Sequence, residues 1–316
     1  MDNSLSKNIK IRHTVMLYIT ALLWGVAFVF QQIGGSAMGP YTFNALRMFI
    51  GAGVVSLAML FTDKKGYSHK PSSRAERKQL LTVGVVCGLL LSVSTNLQQV
   101  ALCMNITTGK AGFITALYIV LVPIIGLIFH VKCKWNTWIA VLIAVFGLYF
   151  LCMSGSFTVN AVDLILFACA LGFAFQIICI DRLGRNMDGL RLSCIQFLVT
   201  AVTSLIPALI IEIIPYDGGF WAWICSFSDW HIWLSLTYLG IFSCGVGYTF
   251  QVIGMKGLNP TGASLIMSLE SVFSLISGMV ILKQDMTGRE LFGCLLMFIA
   301  ICLSQIDIGS LVKCRR

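Results

Sequence analysis

Long apolar stretches separated by short polar segments recur along the whole chain. Ten of them can be delimited, near residues 15–33, 42–61, 80–102, 111–130, 137–153, 161–180, 191–214, 232–255, 261–282 and 288–307. An apolar helix of about 20 residues crosses the hydrocarbon layer of a membrane, where a helix satisfies its own backbone N–H and C=O groups. The pattern therefore predicts an all-α membrane protein with ten transmembrane helices.

The composition agrees with a lipid environment. Of the 316 residues, 58% are hydrophobic and 11% are charged, whereas soluble domains carry about a quarter charged residues. The net charge of +9 does not indicate nucleic-acid binding, because the Lys and Arg residues lie in short segments between apolar runs. The 12 Cys residues contain no CxxC and lie mostly inside apolar runs, which favours packing over a zinc site or a disulfide framework. We expect no metal, no cofactor and no nucleic-acid partner.

The basic residues predict the orientation of the chain. With a cytoplasmic N-terminus, 18 Lys and Arg residues fall on the cytoplasmic side, and three fall outside, namely Lys110, Lys283 and Arg289. Arg47 lies well inside a predicted span. Cytoplasmic loops of membrane proteins carry an excess of Lys and Arg. We therefore predict a multi-pass protein of the plasma membrane with both termini in the cytoplasm.

The two halves of the chain resemble each other at a nearly constant offset of 147 to 153 residues. Five helices per half is an odd number, so the second half enters the membrane from the opposite side. This predicts an inverted repeat, 14–153 and 159–307, with cytoplasmic tails at 1–13 and 308–316; many secondary transporters have this arrangement. The matched pairs are Ala21, Gly25, Ala27 and Phe28 with Ala168, Gly172, Ala174 and Phe175; Arg47 with Gln196; Gln98 with Gln251; and Ala111, Ile114, Leu117, Val120, Ile124 and Gly126 with Ala263, Ile266, Leu269, Val272, Ile276 and Gly278.

Short motifs in four helices carry a family resemblance. They are Leu23-Trp24-Gly25 with Phe28, Asn44-Ala45-Leu46-Arg47, Ala111-Gly112-Phe113-Ile114-Thr115-Ala116-Leu117 with Val122-Pro123, and Ser268-Leu269-Glu270-Ser271-Val272-Phe273. Together they resemble the EamA-like branch of the drug/metabolite transporter superfamily, whose Leu-Glu-Pro-Val-Phe pattern has proline at the position of Ser271. The resemblance covers about residues 14–307. It implies two five-helix repeats and a pathway lined by helices one, three, four, six, eight and nine. The acidic turn frequent after helices four and nine is replaced here by His130–Lys134 and Lys283-Gln284-Asp285.

Three residues are candidates for coupling or gating: Arg47, Pro123 and Glu270. A charge at membrane depth costs a few kcal/mol and faces the bundle interior or a wet cavity. Arg47 lies about six residues from its helix start, so it can alternatively reach outer-surface carbonyls. Glu270 lies mid-span, where burial favours the neutral acid; this state fits an interhelical hydrogen bond as well as proton coupling. Pro123 removes a backbone hydrogen bond and can act as a hinge.

Polar residues at helical spacing mark further pathway positions. Any one of them can instead form a hydrogen bond between two helices. Polar residues on one face of each of helices three, four, eight and nine together favour a shared polar cavity. With Glu270, the predicted pathway residues are Trp24, Ser92, Asn96, Gln99, Thr115, Tyr118, Gln176, Tyr248, Gln251 and Ser274.

These features predict a secondary transporter that moves small polar metabolites, amino-acid-like or drug-like, by export or exchange. Its partners are the metabolite, the lipid bilayer and, as a candidate coupling ion, the proton. An intramembrane enzyme would need a convergent catalytic set at membrane depth, yet the four His residues lie at helix ends or in loops. A non-transporting scaffold would not need an inverted repeat. We expect no enzymatic activity, and the oligomeric state stays open.

Overall fold

The computed structural model describes residues 7–66, 70–104, 106, 108–130, 134–152, 160–282 and 287–305, and within these ranges the chain is helical and contains no strand. Two π-helical segments, Ala208–Ile213 and Leu239–Tyr248, directly follow the α-helices that end at Pro207 and Tyr238. The α-helices are α1 (Lys7–Met38), α2 (Pro40–Lys64), α3 (Arg74–Leu102), α4 (Thr108–Ala116), α5 (Tyr118–Ile128), α6 (Trp135–Cys152), α7 (Ala161–Leu183), α8 (Gly189–Pro207), α9 (Gly219–Cys225), α10 (Trp230–Tyr238), α11 (Thr249–Gly254), α12 (Pro260–Met267), α13 (Glu270–Leu282) and α14 (Gly288–Gln305).

Eight helical stretches of the described residues are long and apolar enough to cross a membrane, and Trp135–Phe150 forms a shorter apolar helix. Large apolar side chains also cover the outside of the bundle. Leu57 and Ile128, for example, are 68% and 71% exposed. Apolar surface on this scale is unfavourable in water and is typical of a protein in contact with lipid. The predicted all-helical membrane architecture is confirmed.

Two of the spans that the sequence presents as continuous are broken near their middle. One break lies at Leu117, between α4 and α5, and the other at Ser268 and Leu269, between α12 and α13. The amide of Leu117 bonds the carbonyl of Ile114, and the amide of Leu269 bonds that of Ile266, both at 3.2 Å. These contacts tighten the backbone to a turn of the 3₁₀ type. Leu117 and Leu269 are paired by the sequence offset of 152, so both halves break at the same position.

The helix pair α2 and α8 is joined by carboxylates at both ends. At one end, the Arg191 guanidinium donates to both carboxylate oxygens of Asp63 at 2.7 and 2.8 Å. At the other end, the Glu212 carboxylate in the π segment after α8 accepts from the backbone amides of Tyr41 (2.8 Å) and Thr42 (2.7 Å). Those amides belong to the first turn of α2, where the helix dipole stabilises negative charge. The first half of the chain is thus tied to the second at both ends of this pair.

Some sequence predictions concern residues outside the described ranges. These are the tail at 308–316, residues 1–6 of the N-terminal tail, the junction of the two halves at 153–159, residues 131–133 of the turn after helix four, and Lys283-Gln284-Asp285 after helix nine.

Candidate functional site

A small cavity lies inside the bundle and is lined by both halves of the chain. About 30 Å³ of it is open to the centre of a water molecule, which is room for one or two waters. A larger solute therefore requires the lining side chains to move apart. The lining residues are Trp24, Ala27, Phe28, Gln31, Arg47, Gln98, Thr115, Tyr118, Phe173, Ile177, Ser243, Tyr248, Gln251 and Glu270. In the numbering of the ten predicted spans, all six helices that the family resemblance implies contribute to this lining. Predicted helix two contributes as well, through Arg47.

The two helix breaks meet at the cavity through one hydrogen bond. Tyr118 is the first residue of α5 and Glu270 the first of α13, and the Tyr118 hydroxyl donates to the Glu270 carboxyl at 3.3 Å. Both side chains are buried, with exposed fractions of 3% and 5%. They are paired by the same offset of 152 residues as the breaks. The contact therefore joins matched positions of the two halves at the cavity wall.

Arg47 faces the cavity and does not reach the outer surface. Its side chain is 3% exposed, and its Nε donates to the Asn44 Oδ1 atom at 2.8 Å. The Asn44 amide nitrogen in turn donates to Thr95, Asn96 and Ser204 at 2.8 to 3.1 Å. This network, from α2, α3 and α8, fixes the base of the guanidinium. In the part of the chain that the structure describes, the ion pairs found do not include Arg47.

Aromatic side chains from opposite halves form another part of the wall. The ring centroids of Trp24 and Tyr248 lie 4.6 Å apart. The Trp24 indole also donates to the backbone carbonyl of Ser243 at 3.3 Å. Ser243 and Tyr248 belong to the π-helical segment Leu239–Tyr248, and π-helical turns are frequent at functional sites. The cavity thus combines a cation, a carboxyl, amides and aromatic faces.

Several predicted pathway residues lie outside the cavity lining, because their side chains bond neighbouring helices or pack at helix contacts. Asn96 donates to Ser204 on α8 at 2.8 Å, and Gln99 donates to the Gln31 carbonyl on α1 at 3.1 Å. Helical spacing identifies the polar face of a helix but not the neighbour that it meets. The residues outside the lining are Ser92, Asn96, Gln99, Gln176, Ser274 and the hinge candidate Pro123.

Gln176 borders the cavity indirectly, through a buried cluster of three amides. It donates to Gln196 at 3.1 Å and accepts from Gln251 at 3.3 Å. Gln251 itself lines the cavity. Gln176 therefore positions a lining residue.

Three polar lining residues were not among the predicted pathway positions: Gln31, Gln98 and Ser243. A signal for two of them is present in the sequence. Gln31 follows Trp24 by seven residues and so shares its face of α1. Gln98 is the repeat partner of Gln251. Ser243 accepts the Trp24 indole hydrogen bond at its backbone carbonyl, a contact that no side-chain pattern identifies.

A family model described as the EamA-like transporter family matches residues 13–153 and again residues 160–305. This chain belongs to the EamA-like transporter family. The resemblance based on its motifs is confirmed, and with it a transporter that crosses the membrane several times. The same family model matches twice in succession, once on each half of the chain.

Similar proteins are also named transporters. An uncharacterized transporter of Archaeoglobus fulgidus is 27% identical over 293 residues, which cover 92% of this chain and 85% of that protein. The uncharacterized transporter YoaV of Bacillus subtilis is 22% identical over 299 residues, covering 92% of this chain and 96% of that protein. A crystal structure of a protein 18% identical to this chain superposes with a TM-score of 0.74, covering 93% of this chain and 96% of that one. At this identity the superposition shows the fold alone.

Proposed function

We propose that this transporter carries small polar metabolites, of the amino-acid-like or drug-like class, across the plasma membrane by export or exchange. The observation that carries the proposal is one cavity lined by both Arg47 and Glu270. A buried guanidinium is costly without an anion, and it binds a carboxylate through paired, charge-assisted hydrogen bonds. A carboxylate-bearing metabolite supplies that anion. An ammonium group on the same metabolite finds an acceptor in Glu270, and the Trp24 and Tyr248 rings offer it cation–π contacts.

The proposed mechanism is alternating access by ten spans in two inverted halves, with both termini cytoplasmic. Three observations support it: the doubled family match, the charge distribution of 18 basic residues against three, and the matched breaks at Leu117 and Leu269. Transporters place their sites at discontinuous helices near the membrane midplane. A broken helix bends at the break more easily than an intact one. We infer that the cavity opens toward one side or the other by bending at these two positions.

Glu270 is the proposed coupling residue. Its carboxyl accepts a hydrogen bond from Tyr118 and borders the space that a solute would fill. A carboxyl in such a place can hold a proton while the cavity faces one side and release it to the other side. Substrate and proton would compete for the same group, which links their movements.

The test is transport by purified protein in liposomes. Proteoliposomes loaded with a cell metabolite extract are compared with protein-free liposomes loaded with the same extract. The solutes that leave are identified by mass spectrometry. Faster loss of carboxylate-bearing metabolites is expected, and Arg47→Gln should abolish it. The matched control is Arg289→Gln, since Arg289 lies on the surface over the Tyr149 and Phe150 rings. Equal loss of these metabolites from protein-free and protein-containing liposomes would contradict the transport function.

A further inference from the structure

Two thiols from different halves of the chain face each other on two helices that line the cavity. The Sγ atoms of Cys87 on α3 and Cys179 on α7 lie 3.0 Å apart. Both residues are free cysteines; Cys87 is buried and Cys179 half-buried. The sequence pattern assigns them only a packing role. The Cys87 thiol donates a hydrogen bond to the Cys179 sulfur, which holds the two sulfur atoms within reach of each other.

The register of α3 against α7 provides a second observation. Ser94 on α3 faces Gly172 on α7, where an added Cβ would lie 2.3 Å from the Ser94 Oγ atom. Cys87 precedes Ser94 by seven residues, and Cys179 follows Gly172 by seven residues. Two antiparallel helices in one register produce such matched spacing, with about 10 Å between the two contacts. Since the glycine contact requires closely spaced backbones, the sulfur atoms lie on a line of close helix approach.

We propose that Cys87 and Cys179 form a modification site: a dithiol that membrane-permeant peroxides convert to a disulfide bridging α3 and α7. A disulfide has an S–S bond of about 2.05 Å, so the sulfur atoms must approach each other by about 1 Å. In the first step, one thiol attacks an oxygen atom of hydrogen peroxide and the O–O bond breaks, giving a sulfenic acid and water. In the second, the other thiol displaces the hydroxyl as water and forms the S–S bond. Two cysteines and one hydrogen peroxide thus give one disulfide and two waters.

The bridge would fix two helices that line the cavity. α3 contributes Gln98 to the lining, and α7 contributes Phe173 and Ile177. Ile177 precedes Cys179 by two positions in the sequence. The helices also belong to different family-matched halves. In a reducing cytosol such a disulfide is transient and redox-sensing. The site therefore reports oxidant inside the membrane by holding the two halves in one arrangement.

The test is direct mapping of the bond. Purified protein in liposomes is treated with hydrogen peroxide and then with catalase, denatured in SDS, alkylated with N-ethylmaleimide, digested and analysed by mass spectrometry. The wild type should lose most of its alkylation at Cys87 and Cys179 together, yield the linked peptide pair, and recover both thiols with dithiothreitol. Cys87→Ser and Cys179→Ser should yield no linked pair. Cys194→Ser is the matched control, because that thiol lies on α8 beside the Ser56 hydroxyl at 3.4 Å, and it should behave as the wild type.

The proposal is overturned if, in the wild type, both cysteines stay alkylated to the untreated level, or if Cys87 is linked to another cysteine. These results depend on the wild-type protein alone and hold even if a serine variant fails to fold. They are also independent of transport, so they leave the proposed function untouched.

Discussion

Replacing Gly25 by alanine should separate α1 from α13 and disturb the cavity wall. A Cβ atom at this position would lie 2.4 Å from the Phe273 Cβ and 2.8 Å from both the Glu270 carbonyl oxygen and the Ser274 amide nitrogen. Two of these neighbours are backbone atoms, which cannot rotate away as a side chain can. The strain is therefore relieved only by movement of one helix against the other.

The size of that movement follows from these distances. Ordinary contacts between non-bonded heavy atoms lie near 3.5 Å, so the helices must separate by about 1 Å. Overpacking of this kind costs about 1–3 kcal/mol. The movement acts at the first residue of α13, where the Tyr118 hydroxyl already lies 3.3 Å from the Glu270 carboxyl. A contact beyond about 3.5 Å is no longer a hydrogen bond, so a shift of α13 away from α5 breaks it.

Thermal unfolding of the purified protein in detergent measures the effect. Gly25→Ala should lower the melting temperature by several degrees. The matched control is Gly53→Ala on α2, since nothing lies within 4 Å of a Cβ added there. Alanine is favoured over glycine in a helix by about 1 kcal/mol, so the control should keep or raise the melting temperature. Equal melting temperatures for the two variants would refute the close approach of α1 and α13.

Three further predictions concern coupling, the Arg47 network and orientation. Glu270→Gln should preserve folding and exchange but abolish pH-driven accumulation in proteoliposomes, because the amide mimics the protonated acid and releases no proton; unchanged accumulation would exclude the coupling role. Asn44→Ala should lower the melting temperature, because it removes the acceptor of the Arg47 Nε, and leaving such a buried group unpaired costs about 1–3 kcal/mol; a wild-type melting temperature would contradict this. A Lys65→Cys variant should react with an impermeant maleimide more strongly than the parent protein in inverted vesicles, and no more strongly than the parent in intact cells. The opposite result would reverse the orientation.

The apolar runs predicted where helices lie, but not where two of them break. The runs at 111–130 and 261–282 look continuous, and leucine, which stands at 117 and 269, is a strong helix former. Pro123, the hinge candidate of the sequence, lies within α5, beyond the break. In the second half no proline stands near the break, but the Ser268 hydroxyl bonds the Leu265 carbonyl at 2.8 Å, a local competitor of the helix ladder. The helix propensity of leucine thus does not indicate where these two helices break.

The site was predictable where chemistry alone marks a residue. Arg47 and Glu270 stand out because a membrane tolerates few ionisable groups, and both line the cavity. Ser92 and Asn96 are ordinary small polar residues, and their spacing fits a cavity wall as well as a helix contact. Only the positions of α2 and α8 decide between these arrangements, and the sequence of α3 does not contain that information.

The carboxylate contacts of Asp63 and Glu212 hold α2 and α8 together at both ends of the pair. Asp63 and Arg191 hold one end of the pair, and Glu212 holds the other on the first amides of α2. Because the two helices come from different halves, the halves cannot part at either end of this pair without breaking an ionic or dipolar contact. Rotation of the other helices about the axis of this pair leaves both contacts intact. We therefore expect the solute's route to open and close at the two helix breaks, one between α4 and α5 and the other between α12 and α13.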